Sequence, residues 1–123
     1  MKTALLIAFF CAFLLISPAQ AQEASTGKVY WYGSVDNKVH LVIRGLTLEQ
    51  RTVEGNPTEP GRYSFTAPLP EAGVTVSVDR LEGRSKKITV VQQPSAANNF
   101  TTIVEIHDDD GGSREYLLEI SWQ

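Results

Sequence analysis

A run of three carboxylates followed by two glycines comes closest, by residue type, to a metal site. Asp108, Asp109 and Asp110 precede Gly111 and Gly112. Hard cations such as calcium prefer oxygen ligands, and an acidic loop can supply them. Asp and Gly are also the residues that tight turns between strands require, and the spacing and terminal Glu of an EF-hand loop are missing. The run therefore predicts either a calcium site or a turn, and no other cofactor is indicated.

Two histidines are the residues best suited to proton transfer. His40 and His107 are the only histidines in the chain, and Glu105 lies two positions before His107. A histidine beside a carboxylate can act as a general acid or base in a hydrolase. Both histidines fall on the polar side of an alternating pattern, however, and Ser34 lacks the G-x-S-x-G turn that exposes a serine nucleophile. We therefore assign no catalytic residue and treat an enzyme as the weaker hypothesis.

Aromatic side chains are concentrated at Tyr30, Trp31 and Tyr32. Side chains alternate between the two faces of a strand, so both tyrosines share one face and the tryptophan takes the other. Tyrosines contribute to many binding hot spots, and two exposed ones could stack on a sugar ring or anchor a protein. Tyr30 and Tyr32 are therefore the candidate binding residues, with a protein or glycan as the expected partner. The alternative is that they only cover the sheet.

The elements that position these residues follow an N-terminal leader. Lys2 precedes an apolar run from Ala4 to Ile16 and then Ala19-Gln20-Ala21. This order of charge, apolar helix and small-residue cleavage site is that of a signal peptide. The apolar run is shorter than the roughly 20 residues that a spanning helix needs. We expect residues 1–21 to be removed, residues 22–27 to be flexible, and a bacterial-type protein to be exported to the periplasm or the medium.

The remaining chain is predicted to form one domain, residues 28–123. Cys11, the one cysteine, lies in the leader, so the processed protein has no internal disulfide and depends on packing for its stability. The formal net charge is -3, and removal of Lys2 makes it -4. Such a charge disfavours general binding to nucleic acid or anionic lipid. We expect a monomer without a membrane span after cleavage.

Beyond Gly27 the apolar residues recur with a period of two, in short runs separated by Gly, Pro, Asn and Asp. This pattern predicts half-buried strands joined by tight turns. About seven to eight such runs favour an all-β, immunoglobulin-like, two-sheet antiparallel sandwich. Glu82-Gly83 and Asp110-Gly111-Gly112 are each predicted to close a hairpin, and Asp36-Asn37 is predicted to form a turn.

Four segments of the chain resemble a group of small exported bacterial β-sandwich proteins. They are residues 27–36, 42–45, 91–95 and 116–122. The resemblance extends over nearly the whole processed chain and implies this fold and this compartment. No activity is attached to the group, so it implies no mechanism and no site residues.

These observations favour a non-catalytic, exported binding or interaction module. One alternative is a small hydrolase or metal-dependent enzyme that uses His107, Glu105 and the acidic run. Another is a structural envelope protein that assembles through edge strands. An enzyme should place both histidines and the acidic run around one pocket, whereas a binding module should present a flat aromatic face or an open edge strand.

Overall fold

The computed structural model describes residues 25–85 and 87–123. The predicted leader helix and its cleavage site lie outside the described residues. A 3-10 helix, Ala96–Asn98, lies between the sixth and seventh strands. The strands are β1 (Gly27–Val35), β2 (Asn37–Arg44), β3 (Thr47–Glu54), β4 (Arg62–Phe65), β5 (Val76–Glu82), β6 (Lys87–Gln92), β7 (Thr102–Asp108) and β8 (Arg114–Trp122).

The strands form two four-stranded sheets that pack face to face. Sheet A has the order β4-β1-β8-β5 and sheet B the order β3-β2-β7-β6, and every neighbouring pair is antiparallel. The predicted all-β, two-sheet antiparallel sandwich is confirmed, and immunoglobulin-like domains share this two-layer architecture. In this chain β1 and β8 lie side by side at the centre of sheet A, where Gly27 pairs with Trp122 and Val35 with Arg114.

The core lies between the sheets and consists of the inward positions of the strands. Trp31 and Tyr116 are its largest fully buried side chains. Each is flanked in sequence by residues of the outer face, as a period of two requires. The buried apolar residues are Val29, Trp31, Val35, Val39, Leu41, Ile43, Leu48, Leu69, Val74, Val76, Val104, Ile106, Tyr116, Leu118, Ile120 and Trp122.

The two predicted hairpins are wrong. The turn at Gly83 joins β5 of sheet A to β6 of sheet B, and the turn at Asp110–Gly112 joins β7 of sheet B to β8 of sheet A. Turn residues specify a reversal of the chain, but they do not specify whether the returning strand lies beside the first or across the core. Here each returning strand crosses the roughly 10 Å between packed sheets, so that the apolar faces on both sides of the turn meet in the core.

The links between the sheets share one end of the sandwich, which we call the crossover end. Val35 pairs with Arg114 in sheet A, and Asn37 pairs with Asp108 in sheet B. The end of β1 therefore lies near the start of β8, and the start of β2 near the end of β7. The predicted Asp36-Asn37 turn is likewise a link from sheet A to sheet B. The acidic run thus belongs to this end of the molecule.

Candidate functional site

The two candidate tyrosines lie on the outer face of sheet A, on the central strand β1. Across the sheet, Tyr32 pairs with Arg62 of β4 and with Leu117 of β8, and Tyr30 pairs with Ser64 of β4. We call these five residues the tyrosine face. Together with Tyr63 they line a shallow depression with a volume of about 310 Å³. The antiparallel register therefore assembles one aromatic and apolar surface from three strands.

Tyr32 is held in place by two neighbouring side chains. Its hydroxyl donates a hydrogen bond of 2.7 Å to a carboxylate oxygen of Glu115. The guanidinium carbon of Arg62 lies 5.6 Å from the centre of the Tyr32 ring, within the range of a cation–π contact. The hydrogen bond to Glu115 is the main reason that the pKa of Tyr32 is raised. The ring is therefore positioned before any ligand arrives, which lowers the entropy lost on binding.

Carboxylates border the tyrosine face on the side of β8 and β5. Glu115 and Glu119 lie on either side of Leu117 along β8, and the register places Asp79 of β5 opposite Glu119. The ammonium group of Lys28 lies 3.1 Å from Glu119, and this hydrogen bond is the main cause of the raised pKa of Lys28. The surroundings of the tyrosines are thus charged, which is the usual composition of an interface rim.

The three aspartates of the acidic run take separate partners. Asp108 is buried and accepts hydrogen bonds from the Tyr116 hydroxyl and from the backbone N–H of Asp110. Asp109 pairs with Lys87 at 3.7 Å, and the carboxylate of Asp110 pairs with Arg84 at 3.3 Å. Within residues 25–85 and 87–123, no three His, Cys, Asp or Glu side chains are grouped so that they could hold a metal ion. The calcium site stays a prediction that titration must test.

The carboxylate of Glu105 contacts His40 and not His107. The two groups lie on adjacent strands, and the imidazole Nε2 of His40 is 2.9 Å from Glu105. This hydrogen bond is the main cause of the lowered pKa of Glu105. His107 instead lines a depression of about 130 Å³ beside the acidic run and Ser85. The lining residues of that depression do not include His40 or Glu105, so the groups named in the enzyme hypothesis do not share it.

A wider and open depression of about 750 Å³ lies where β1 begins and β8 ends. Its lining residues include Thr66, Thr75, Ser77, Ser121 and Trp122. Lys28 also lines it, and the ammonium group of Lys28 is paired with Glu119. This depression offers hydrogen-bonding groups, whereas the tyrosine face combines aromatic rings with charge.

Comparison with known proteins assigns no family to the chain. A scan against protein-family models, a search of curated proteins and a search of solved structures each found no match. No helix in the described part of the chain has the length and apolar character to cross a membrane.

Sequence reasoning identified the tyrosines but not the residues that complete their surface. Arg62 and Ser64 are 30 or more positions from the tyrosines, and Leu117 is more than 80 positions away. Only the strand order β4-β1-β8 brings these residues together. The one local signal was that Leu117 interrupts the polar outer positions of β8, between Glu115 and Glu119.

Proposed function

We propose that this protein is an exported, non-catalytic binding module that engages its ligand through the tyrosine face. The observation that carries this proposal is the position of Tyr30, Tyr32 and Leu117 next to one another on the outer face of sheet A. None of the three is fully buried, and the strands of sheet B pack only against the opposite face of sheet A.

The composition of the tyrosine face supports binding by this surface. Tyrosine and arginine are enriched in the centres of protein interfaces, and a polar, solvent-accessible rim commonly surrounds such centres. Tyr32 and Arg62 already contact each other, so part of the cost of ordering long side chains is met before binding.

Export is supported by the order of the N-terminal residues. Lys2, the apolar run from Ala4 to Ile16, and Ala19-Gln20-Ala21 follow the pattern of a cleavable leader. N-terminal sequencing of the protein from its native envelope or culture medium should then begin at Gln22. A protein that retains Met1 in that fraction would contradict cleavage.

The binding proposal is tested by removing both rings. The double substitution Tyr30→Ala and Tyr32→Ala should abolish capture of the ligand from native envelope extracts. The matched control is Val42→Ala with Ile103→Ala, which removes two half-buried apolar side chains that pair on the outer face of sheet B. The control should capture the ligand as the parent protein does. Equal capture by the tyrosine variant, with its fold verified by circular dichroism, would contradict the proposal.

A further inference from the structure

We infer that the ligand of the tyrosine face is an extended polypeptide segment with lysine or arginine side chains. This inference rests on the proposed function and specifies the chemistry of the partner. Three observations carry it: the charge of the outer face of sheet A, the position of its carboxylates relative to the rings, and the contrast with the outer face of sheet B.

The outer face of sheet A carries four carboxylates against two cationic groups, a net charge of -2. The carboxylates are Asp79 and Glu82 of β5 and Glu115 and Glu119 of β8, and the cations are Lys28 and Arg62. Arg80 follows Asp79 in sequence, but its guanidinium donates a hydrogen bond of 2.6 Å to the backbone carbonyl of Ser85.

Two of these carboxylates remain available to a partner. Lys28 neutralises Glu119, and Glu115 accepts a hydrogen bond from Tyr32. Asp79 and Glu82 are exposed, and within residues 25–85 and 87–123 neither forms a salt bridge. The register places Glu82 opposite Leu117, so one free carboxylate lies directly beside the tyrosine face.

The outer face of sheet B does not share this negative charge. Its four cationic groups, Lys38, Arg44, Arg51 and Lys87, are balanced by Glu49, Glu54, Glu105 and the Asp109 carboxylate that pairs with Lys87. The negative charge near the tyrosines is therefore a property of that face and does not simply reflect the net charge of the whole chain. Complementary potentials set partner choice and association rate, so a cationic partner is favoured at sheet A.

Aromatic rings beside carboxylates form a surface that binds organic cations. A lysine or arginine can stack on a tyrosine ring while its charge pairs with a carboxylate. Arg62 is an example of the stacking contact within the chain, because its guanidinium carbon lies 5.6 Å from the centre of the Tyr32 ring. The two available carboxylates, Asp79 and Glu82, lie three positions apart along β5, opposite Glu119 and Leu117. An extended segment that runs along β5 can therefore place one cationic side chain near each of them.

The test uses the protein purified after export and two synthetic probes. One is an acetylated, amidated octapeptide of alternating Lys and Thr, and the other replaces each Lys with Glu. Backbone chemical shifts, followed by NMR during titration, report both affinity and location. We expect the Lys peptide to bind at least about 10-fold more tightly than the Glu peptide, and to shift residues of β1, β8 and β5.

Charge variants separate a specific site from general attraction. Asp79→Asn with Glu82→Gln should weaken binding of the Lys peptide by about 3-fold to 20-fold, since exposed pairs contribute modestly. Glu49→Gln with Glu54→Gln removes the same charge from sheet B and should leave the affinity unchanged. Equal binding of the two peptides, or an equal effect of both charge variants, would overturn the inference.

Failure of this inference can be distinguished from failure of the proposed function. The double substitution Tyr30→Ala and Tyr32→Ala could abolish capture of the native ligand while Asp79→Asn with Glu82→Gln has no effect. That result would contradict a cationic partner and still support binding at the tyrosine face. A neutral glycan ligand would give that result. If the tyrosine variant captures the native ligand unchanged, the proposed function fails and the inference fails with it.

Discussion

The hydroxyl of Tyr116 donates a hydrogen bond to the carboxylate of Asp108, and both side chains are buried at the crossover end of the sandwich. Tyr116 begins the buried part of β8, and Asp108 ends β7. The same hydroxyl accepts a hydrogen bond of 2.9 Å from the backbone N–H of Ser85, in the link from β5 to β6. The Tyr116 hydroxyl therefore holds the end of β7 and the β5–β6 link together by hydrogen bonds.

Removal of this hydroxyl should destabilise the fold without affecting the tyrosine face. Tyr116→Phe leaves the carboxylate of Asp108 and the N–H of Ser85 without their main partner in a buried site. We expect the free energy of unfolding to fall by about 1 to 3 kcal/mol. Urea denaturation measures the change. An unchanged urea midpoint would contradict this prediction.

Stability should decrease at high pH because of the same residue. Burial, followed by the hydrogen bond to Asp108, raises the pKa of Tyr116 from 10.0 to about 12. A group whose folded pKa is raised contributes its full stability below the unfolded pKa and loses that contribution as the pH rises to the folded pKa. The contribution of Tyr116 to the free energy of unfolding is therefore complete below pH 10, and it is lost as the pH rises from 10 to about 12.

The size of this loss is at most about 3 kcal/mol, since each pH unit corresponds to about 1.4 kcal/mol. The pKa of Tyr32 is also raised, so the parent protein alone does not isolate the effect. Tyr116→Phe is the matched control, because it should lose the Tyr116 component and retain the rest. Identical alkaline slopes for the two proteins would contradict the assignment.

Gly83 should be intolerant of any side chain. Its φ is +130°, a conformation that residues with a Cβ rarely adopt. A Cβ at this position would lie 2.2 Å from Cδ2 of the buried Tyr116 ring, so the ring or the link would have to move. Gly83→Ala should cost about 2 to 4 kcal/mol through strain and overpacking. Gly73→Ala is the control, because nothing lies within 4 Å of its added Cβ, and it should be close to neutral.

Calcium should not stabilise the protein if the acidic run acts only as a turn. Asp108, Asp109 and Asp110 contact Tyr116, Lys87 and Arg84 respectively, so binding would have to break two ion pairs and open a buried hydrogen bond. We expect the melting temperature to be unchanged in millimolar calcium, as measured by calorimetry. A rise of several degrees that the substitution Asp109→Asn removes would restore the calcium site.

The inner lining of the sandwich could be predicted from the sequence because it depends on local periodicity. Val29, Trp31, Val39, Leu41 and Ile43 occupy alternate positions of β1 and β2, and all five are buried. Burial of alternate residues follows from strand geometry alone. The number of sheets followed from the short runs and frequent turns.

The partners of each strand could not be predicted, because pairing joins residues that are far apart in the chain. The Asp110–Gly112 turn looks the same in sequence whether it closes a hairpin or crosses the core. His40 and Glu105 lie 65 positions apart, and only the β2–β7 register brings them into contact. Asp108 was grouped with its acidic neighbours, although it is the buried partner of Tyr116.

Site-specific photo-crosslinking in living cells tests the binding face most directly. A photo-reactive phenylalanine analogue replaces Tyr30 in one strain and Val42, on the outer face of sheet B, in another. We expect a discrete crosslinked species from position 30 and none from position 42. Crosslinking from position 42 alone, or from neither position, would contradict a ligand on the tyrosine face.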